Sequence, residues 1–260
     1  MAIKQAVFLC LILFATILGR GKAWAAGAAQ LTVGSEYTSG KYGGEDKTEI
    51  WYFPLVGKYT LGPWLLKVVV PYLRITGPST ITTIHHHMPP TQETTRRSTA
   101  SGLGDVIVGM SYALYENPAA GVLFDLIGNI KFGTADPDQG LGTGENDYAI
   151  LGDLSKQIGK LGIFTGWGWK NMGSTPDLPL QDTWYGATGL SYKISHQTTA
   201  GLTYDYRGEI VDGGSKLSEA TLFVAQKISP NSKIQFYILQ GFSNASADMG
   251  GGVALALQFY

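Results

Sequence analysis

The final residues, Gly250 to Tyr260, read Gly-Gly-Gly-Val-Ala-Leu-Ala-Leu-Gln-Phe-Tyr, an apolar strand pattern that finishes on an aromatic side chain. A terminal aromatic strand suits a sheet whose last strand closes against its first, and bacterial outer-membrane barrels commonly end this way. The expected fold is all-β, a transmembrane antiparallel up-and-down β-barrel. That expectation makes demands on the rest of the chain: strands of about ten residues, a side-chain period of two and an even strand number.

The opening residues meet the requirement for export. Lys4 precedes an apolar run from Ala6 to Leu18, followed by the small-residue site Ala23-Trp24-Ala25. This pattern predicts a secretory signal peptide over 1–25, cleaved after Ala25, with 26–260 forming a single outer-membrane barrel domain. The apolar run is about 13 residues, short of the roughly 20 that a spanning helix needs. Cys10 lies inside it and leaves with the signal, so the mature chain has no cysteine and no disulfide framework. Its stability must come from a closed hydrogen-bonded sheet.

Only 15% of the residues are charged, against about 25% in soluble globular proteins, while Gly is abundant at 35 residues. Without Lys4, Arg20 and Lys22 the formal charge of −1 becomes about −4, which argues against nucleic acid as a partner.

A period of two recurs in about twelve segments: 30–38, 48–59, 64–76, 103–115, 121–133, 147–156, 162–170, 183–194, 198–208, 217–228, 233–243 and 250–260. Short connections such as Leu61-Gly62-Pro63 and Ser229-Pro230-Asn231 alternate with longer polar ones near 39–47, 77–102, 134–146, 171–182, 209–216 and 244–249. Short periplasmic turns opposite long external loops are the bacterial barrel pattern, and twelve is an even number.

Within the strands, Val122, Phe124, Leu126, Ile130 and Phe132 share one face, as do Trp51, Phe53, Leu55 and Tyr59. Trp51 and Tyr59, Trp64 and Tyr72, and Trp184 and Tyr192 each stand eight positions apart on the presumed lipid face. At about 3.3 Å per residue and a tilt near 40° this spans roughly 20 Å, the separation of two aromatic girdles. The opposite face collects Lys58, Lys67, Asp105, Asp125, Lys131, Asp147, Asp153, Tyr185, Lys193, Asp205, Arg207, Glu219 and Lys227. These are the expected lumen-lining residues. With Ile127, Leu151 and Tyr237 also inward, the bore reads as narrow or amphipathic.

No catalytic constellation emerges. His85, His86 and His87 beside Met88 are weak metal candidates, since neighbours on an extended chain point to opposite sides; no metal and no cofactor are expected. Ser195-His196 has no nearby acid, and Gly140-Leu141-Gly142-Thr143-Gly144 lacks the helix and Gly-Lys-Ser/Thr of a phosphate loop, so it reads as a flexible loop.

Gly102-Leu103-Gly104-Asp105, Ile130-Lys131-Phe132-Gly133-Thr134 and Gly140-Leu141-Gly142-Thr143-Gly144-Glu145-Asn146-Asp147-Tyr148 together resemble the outer-membrane proteins linked to the meta-pathway of phenol degradation. The resemblance is specific over 102–170, and the Thr- and His-rich stretch at 77–100 does not belong to it. It implies a single-chain outer-membrane barrel that transports a small hydrophobic or aromatic compound, with no catalytic residues.

The expected function is passive diffusion of a small organic solute across the Gram-negative outer membrane, in a porin-like channel that is not an enzyme. The alternative is a structural or adhesive barrel with a plugged lumen and partner-binding loops. Expected partners are outer-membrane lipid, the solute and the barrel-assembly machinery, which would read the C-terminal strand.

Overall fold

The computed structural model describes residues 27–78 and 97–260. The signal-peptide residues and His85, His86 and His87 lie outside these ranges. Among the described residues every regular element is a strand: β1 (Ala28–Gly40), β2 (Thr48–Leu61), β3 (Trp64–Pro78), β4 (Arg97–Leu103), β5 (Val106–Asn117), β6 (Val122–Phe132), β7 (Asp147–Ile158), β8 (Leu161–Asn171), β9 (Thr183–Lys193), β10 (Thr198–Arg207), β11 (Leu217–Ser229), β12 (Ser232–Gly241) and β13 (Met249–Phe259).

Apart from β4 and β5, which do not pair with each other, each strand pairs antiparallel with its neighbours in chain order, and β1 pairs with β13 from Ala29↔Phe259 to Ser39↔Met249. The sheet is closed. β4 and β5 both lie against β3 and form one interrupted wall strand, so the wall has twelve strands. Below β4, which pairs with β3 on one side, closure joins every strand to two partners, which is what allows a sheet to cross lipid without unpaired backbone groups. Gly62 (φ 56°) and Gly159 (φ 58°) make the left-handed bends of two short turns, β2–β3 and β7–β8.

The interruption has a local cause. Pro54 and Pro71 face each other across β2 and β3, both inward and buried. Neither can donate to a ladder, and proline inside a sheet is usually tolerated only at an edge or a bulge. The β1–β2 pairing accordingly skips Gly34 and Ser35, between Val33↔Leu55 and Glu36↔Tyr52, with the register unchanged. On the other flank Pro71 O accepts from Gly104 N at 2.8 Å, where β4 gives way to β5. The sequence pattern predicts one strand over 103–115; the wall strand instead begins at Arg97 and breaks at Gly104-Asp105. The polar run Arg97-Ser-Thr-Ala-Ser carries no apolar alternation because it extends the ladder with β3 toward the external loops. The break turns Asp105 inward, where it is buried.

The outer surface is apolar: Leu55, Leu66, Val68, Leu190, Leu202, Leu222, Val224, Phe236 and Ile238 are all exposed. Trp51, Tyr59, Trp64, Tyr72, Trp184 and Tyr192 are exposed on the same face. Trp64 packs on Tyr112 with centroids 4.5 Å apart near the periplasmic turns, and Trp169 meets Trp184 edge-on at 5.2 Å near the external loops. Such pairs contribute about 0.5–1.5 kcal/mol beyond area burial.

Candidate functional site

Because side chains alternate, every strand sends half of its residues inward, and the interior is built from three layers. Near the external end lies a charged network. Lys131 Nζ on β6 sits 3.1 Å from Asp105 Oδ2 and 3.3 Å from Asp147 Oδ1, and Lys170 Nζ on β8 sits 2.9 Å from Asp147 Oδ2. The two aspartates have side chains only 2% exposed. Each of these acids also holds a loop. Asp105 Oδ1 accepts from Ala135 N at 3.1 Å, Asp147 Oδ1 from Gly173 N at 3.0 Å, and Glu219 Oε1 from Ala247 N at 3.0 Å. Lys131 Nζ adds a hydrogen bond to Thr143 Oγ1 at 3.2 Å.

These bonds fold the 133–146 connection into the barrel. Ala135 and Leu141 are buried with Ile50, Tyr52, Val56, Val69, Leu73, Ile75 and Ala100 in one apolar cluster against β2, β3 and β4. The glycine-rich segment expected to be a free loop is therefore packed onto the inner wall. Gly142 has no room for a side chain, since a Cβ would meet Asp105 Oδ1 at 2.8 Å. Tyr42, in the β1–β2 connection, packs on the same cluster and donates to Thr38 Oγ1 at 2.9 Å. Burial pushes its phenol above the ordinary range.

The middle layer is aromatic. Phe164, Phe223 and Tyr237 form a buried inward cluster, with Phe223 and Tyr237 directly opposite each other on β11 and β12. Phe223 lies over Gly201 so closely that a Cβ there would collide with its ring. Tyr237 Oη donates to Glu36 Oε2 at 2.7 Å across β13, tying β12 to β1. A second apolar group, Ile127, Leu151 and Tyr185, comes from β6, β7 and β9.

The third layer, toward the periplasmic turns, carries like charges side by side. Lys58 and Lys67 are directly opposed on β2 and β3, and Asp125 and Asp153 are directly opposed on β6 and β7. All four are buried, and all belong to the inward set. Lys227 and Lys233 oppose each other on β11 and β12, Lys227 being exposed at the mouth.

Of the residues singled out in the sequence, Lys58, Lys67, Asp105, Asp125, Lys131, Asp147, Asp153, Tyr185, Asp205, Arg207 and Glu219 are buried in the barrel. They do not form one site. Asp105, Lys131 and Asp147 come together, whereas Lys58 and Lys67 belong to the other end. Sequence reading passed over Glu36, Lys170 and Lys233. The first two occupy inward positions of strands whose spacing already marked that face, Glu36 sharing it with Gln30, Thr32 and Thr38; Lys170 lay at the end of its predicted segment. Among the described residues no group of three or more His, Cys, Asp or Glu is arranged to hold a metal ion.

A closed twelve-stranded wall, apolar outside and polar inside, defines a β-barrel of the bacterial outer membrane. The family model described as "Putative MetA-pathway of phenol degradation" matches residues 48–259, and the chain belongs to that family. Among solved structures, the COG4313 outer membrane channel from Pseudomonas putida F1 superposes with a TM-score of 0.73 at 12% identity, covering 93% of this chain and 98% of the other. The KdgM porin in complex with disordered oligogalacturonate gives a TM-score of 0.54 at 9% identity, covering 89% and 99%. The CymD monoaromatic hydrocarbon channel gives 0.50 at 8% identity, covering 90% and 89%. Comparison with curated proteins returns no match.

Proposed function

We propose that the mature chain, 26–260 after cleavage at Ala25, is a single-domain passive channel for a small organic, hydrophobic or aromatic solute. It is a conduit rather than an enzyme. The observation that carries this reading is the like-charged lining of the periplasmic layer. A barrel that served only as a scaffold would stabilise itself by pairing its interior charges, and among the described residues the inward Lys67 and Lys233 have no carboxylate within ion-pairing distance. In membrane barrels, ionisable groups facing the interior mark solute pathways. The structural neighbours that are channels support the same reading, as does the family.

In this account Lys58, Lys67, Asp125, Asp153 and Lys227 set selectivity in the periplasmic layer, while Asp105, Lys131, Asp147, Asp205, Arg207 and Glu219 line the external end and brace its loops. Tyr185 lines the middle. Trp51, Tyr59, Trp64, Tyr72, Trp184 and Tyr192 seat the wall in lipid as two girdles. The C-terminal strand, ending in Phe259 and Tyr260, is the segment offered to the barrel-assembly machinery.

One observation favours a second reading, a plugged barrel. Ala135 and Leu141 bring the 133–146 loop into the interior. Purified protein in planar bilayers separates the two. A channel conducts in discrete steps, whereas a plugged barrel is silent until the 134–146 segment is deleted.

A further inference from the structure

We propose that the periplasmic layer of the barrel is a binding site for a small organic carboxylate with an apolar or aromatic body, its charge recognised by Lys58, Lys67 and Lys233. The proposal deepens the channel reading and rests on it for the solute's route.

Two opposed lysine pairs, Lys58 with Lys67 and Lys227 with Lys233, lie on the inward faces of β2, β3, β11 and β12. Lys58 stands three residues before the end of β2 and Lys67 three after the start of β3, so both lie just above the periplasmic turn. Through the register Lys233↔Ala256, Ala256↔Thr32 and Thr32↔Val56, Lys233 stands level with Val56, the inward neighbour of Lys58 on β2, with β13 and β1 between them. Among the described residues neither Lys67 nor Lys233 has a carboxylate within ion-pairing distance; the recorded interior pairs involve Lys131 and Lys170 at the other end.

Like charges directly opposite one another destabilise a sheet, and more so in a poorly hydrated interior. An incoming anion offsets that repulsion, and lysine suits transient capture because its charge is compact and its stem flexible.

The body of the ligand is set by what lies above. On β12 the inward face runs Tyr237, Gln235, Lys233, and on β11 it runs Phe223, Ala225, Lys227. The aromatic cluster of Phe164, Phe223 and Tyr237 therefore leads straight into the cationic collar. Asp125 and Asp153 stand on the wall of β6 and β7 at a comparable distance from their turns. They repel the same carboxylate, which orients it toward the lysines and keeps binding weak enough for release.

The test uses the purified, detergent-folded barrel. Sodium benzoate and the neutral benzyl alcohol are titrated in by calorimetry, alongside planar-bilayer recordings of the same preparation. Benzoate should bind, and benzyl alcohol about tenfold more weakly. Lys58→Gln, Lys67→Gln and Lys233→Gln combined should lose about tenfold in benzoate affinity, and the outward Lys156→Gln should lose none. Lys67→Gln alone gives a smaller loss in the same direction and serves if the triple variant does not fold. Equal binding of the two compounds, no benzoate binding, or unchanged affinity in the lysine variants overturns the proposal. A barrel that binds benzoate through these lysines but carries no current refutes the channel and leaves the site; one that conducts without distinguishing benzoate refutes the site alone.

Discussion

At the outer end of the barrel Lys131 lies between Asp105 and Asp147, whereas at the periplasmic end Lys58 faces Lys67 and Asp125 faces Asp153. Both sets are buried and both are lined up by the same every-other-residue rule. The first set is paired and holds two connections by their backbone N–H groups; the second sets like charges side by side. The difference separates two uses of a buried charge. A paired network fixes structure, and a row of like charges suits something that arrives from outside.

The contrast is exposed most strongly by removing one cation from each end. Lys131→Met leaves two buried aspartates without their shared partner and should cost about 3–5 kcal/mol of stability, seen as a lower midpoint in denaturant unfolding from detergent. Lys67→Met should cost less than about 1 kcal/mol, or stabilise, because it removes a repulsion. Equal losses at both ends would erase the distinction. Asp105→Asn should cost about 1–3 kcal/mol and open the 133–146 loop to protease, since a buried hydrogen-bonded acid is weakened while its shape is kept. Tyr237→Phe removes the hydrogen bond to Glu36 and should cost about 1–2 kcal/mol, with the barrel still closing. Smallest is Arg97→Ala. Its bond to Glu49 is 3.0 Å long but half exposed, so less than about 0.5 kcal/mol should be lost, and that in low salt only.

The fold was readable because a barrel writes itself into the sequence locally. Period two, short turns and a closing aromatic strand each act over a few residues, and together they fix an even wall of twelve strands. The split between β4 and β5 was not readable, since it depends on Pro71 reaching Gly104 from a strand more than thirty positions away. The interior was legible only in part. Alternation says which side chains point inward, but not how strand stagger aligns them, so Lys131 and Lys67 looked equivalent. Lys233 is the second residue of β12, directly after a turn, where alternation is weakest as a guide. The docking of Leu141 onto Ala100 also had no local sign, because a Gly-rich segment reads as loop whether it hangs free or packs against a wall.

A polar interior that carries solute must conduct. Single-channel recording of the refolded barrel in planar bilayers, with a salt gradient to read ion preference, decides whether it does. Stepwise conductance is expected, with an ion preference that shifts toward cations when Lys58, Lys67 and Lys233 are neutralised. A folded barrel that stays silent with its loops intact overturns the channel.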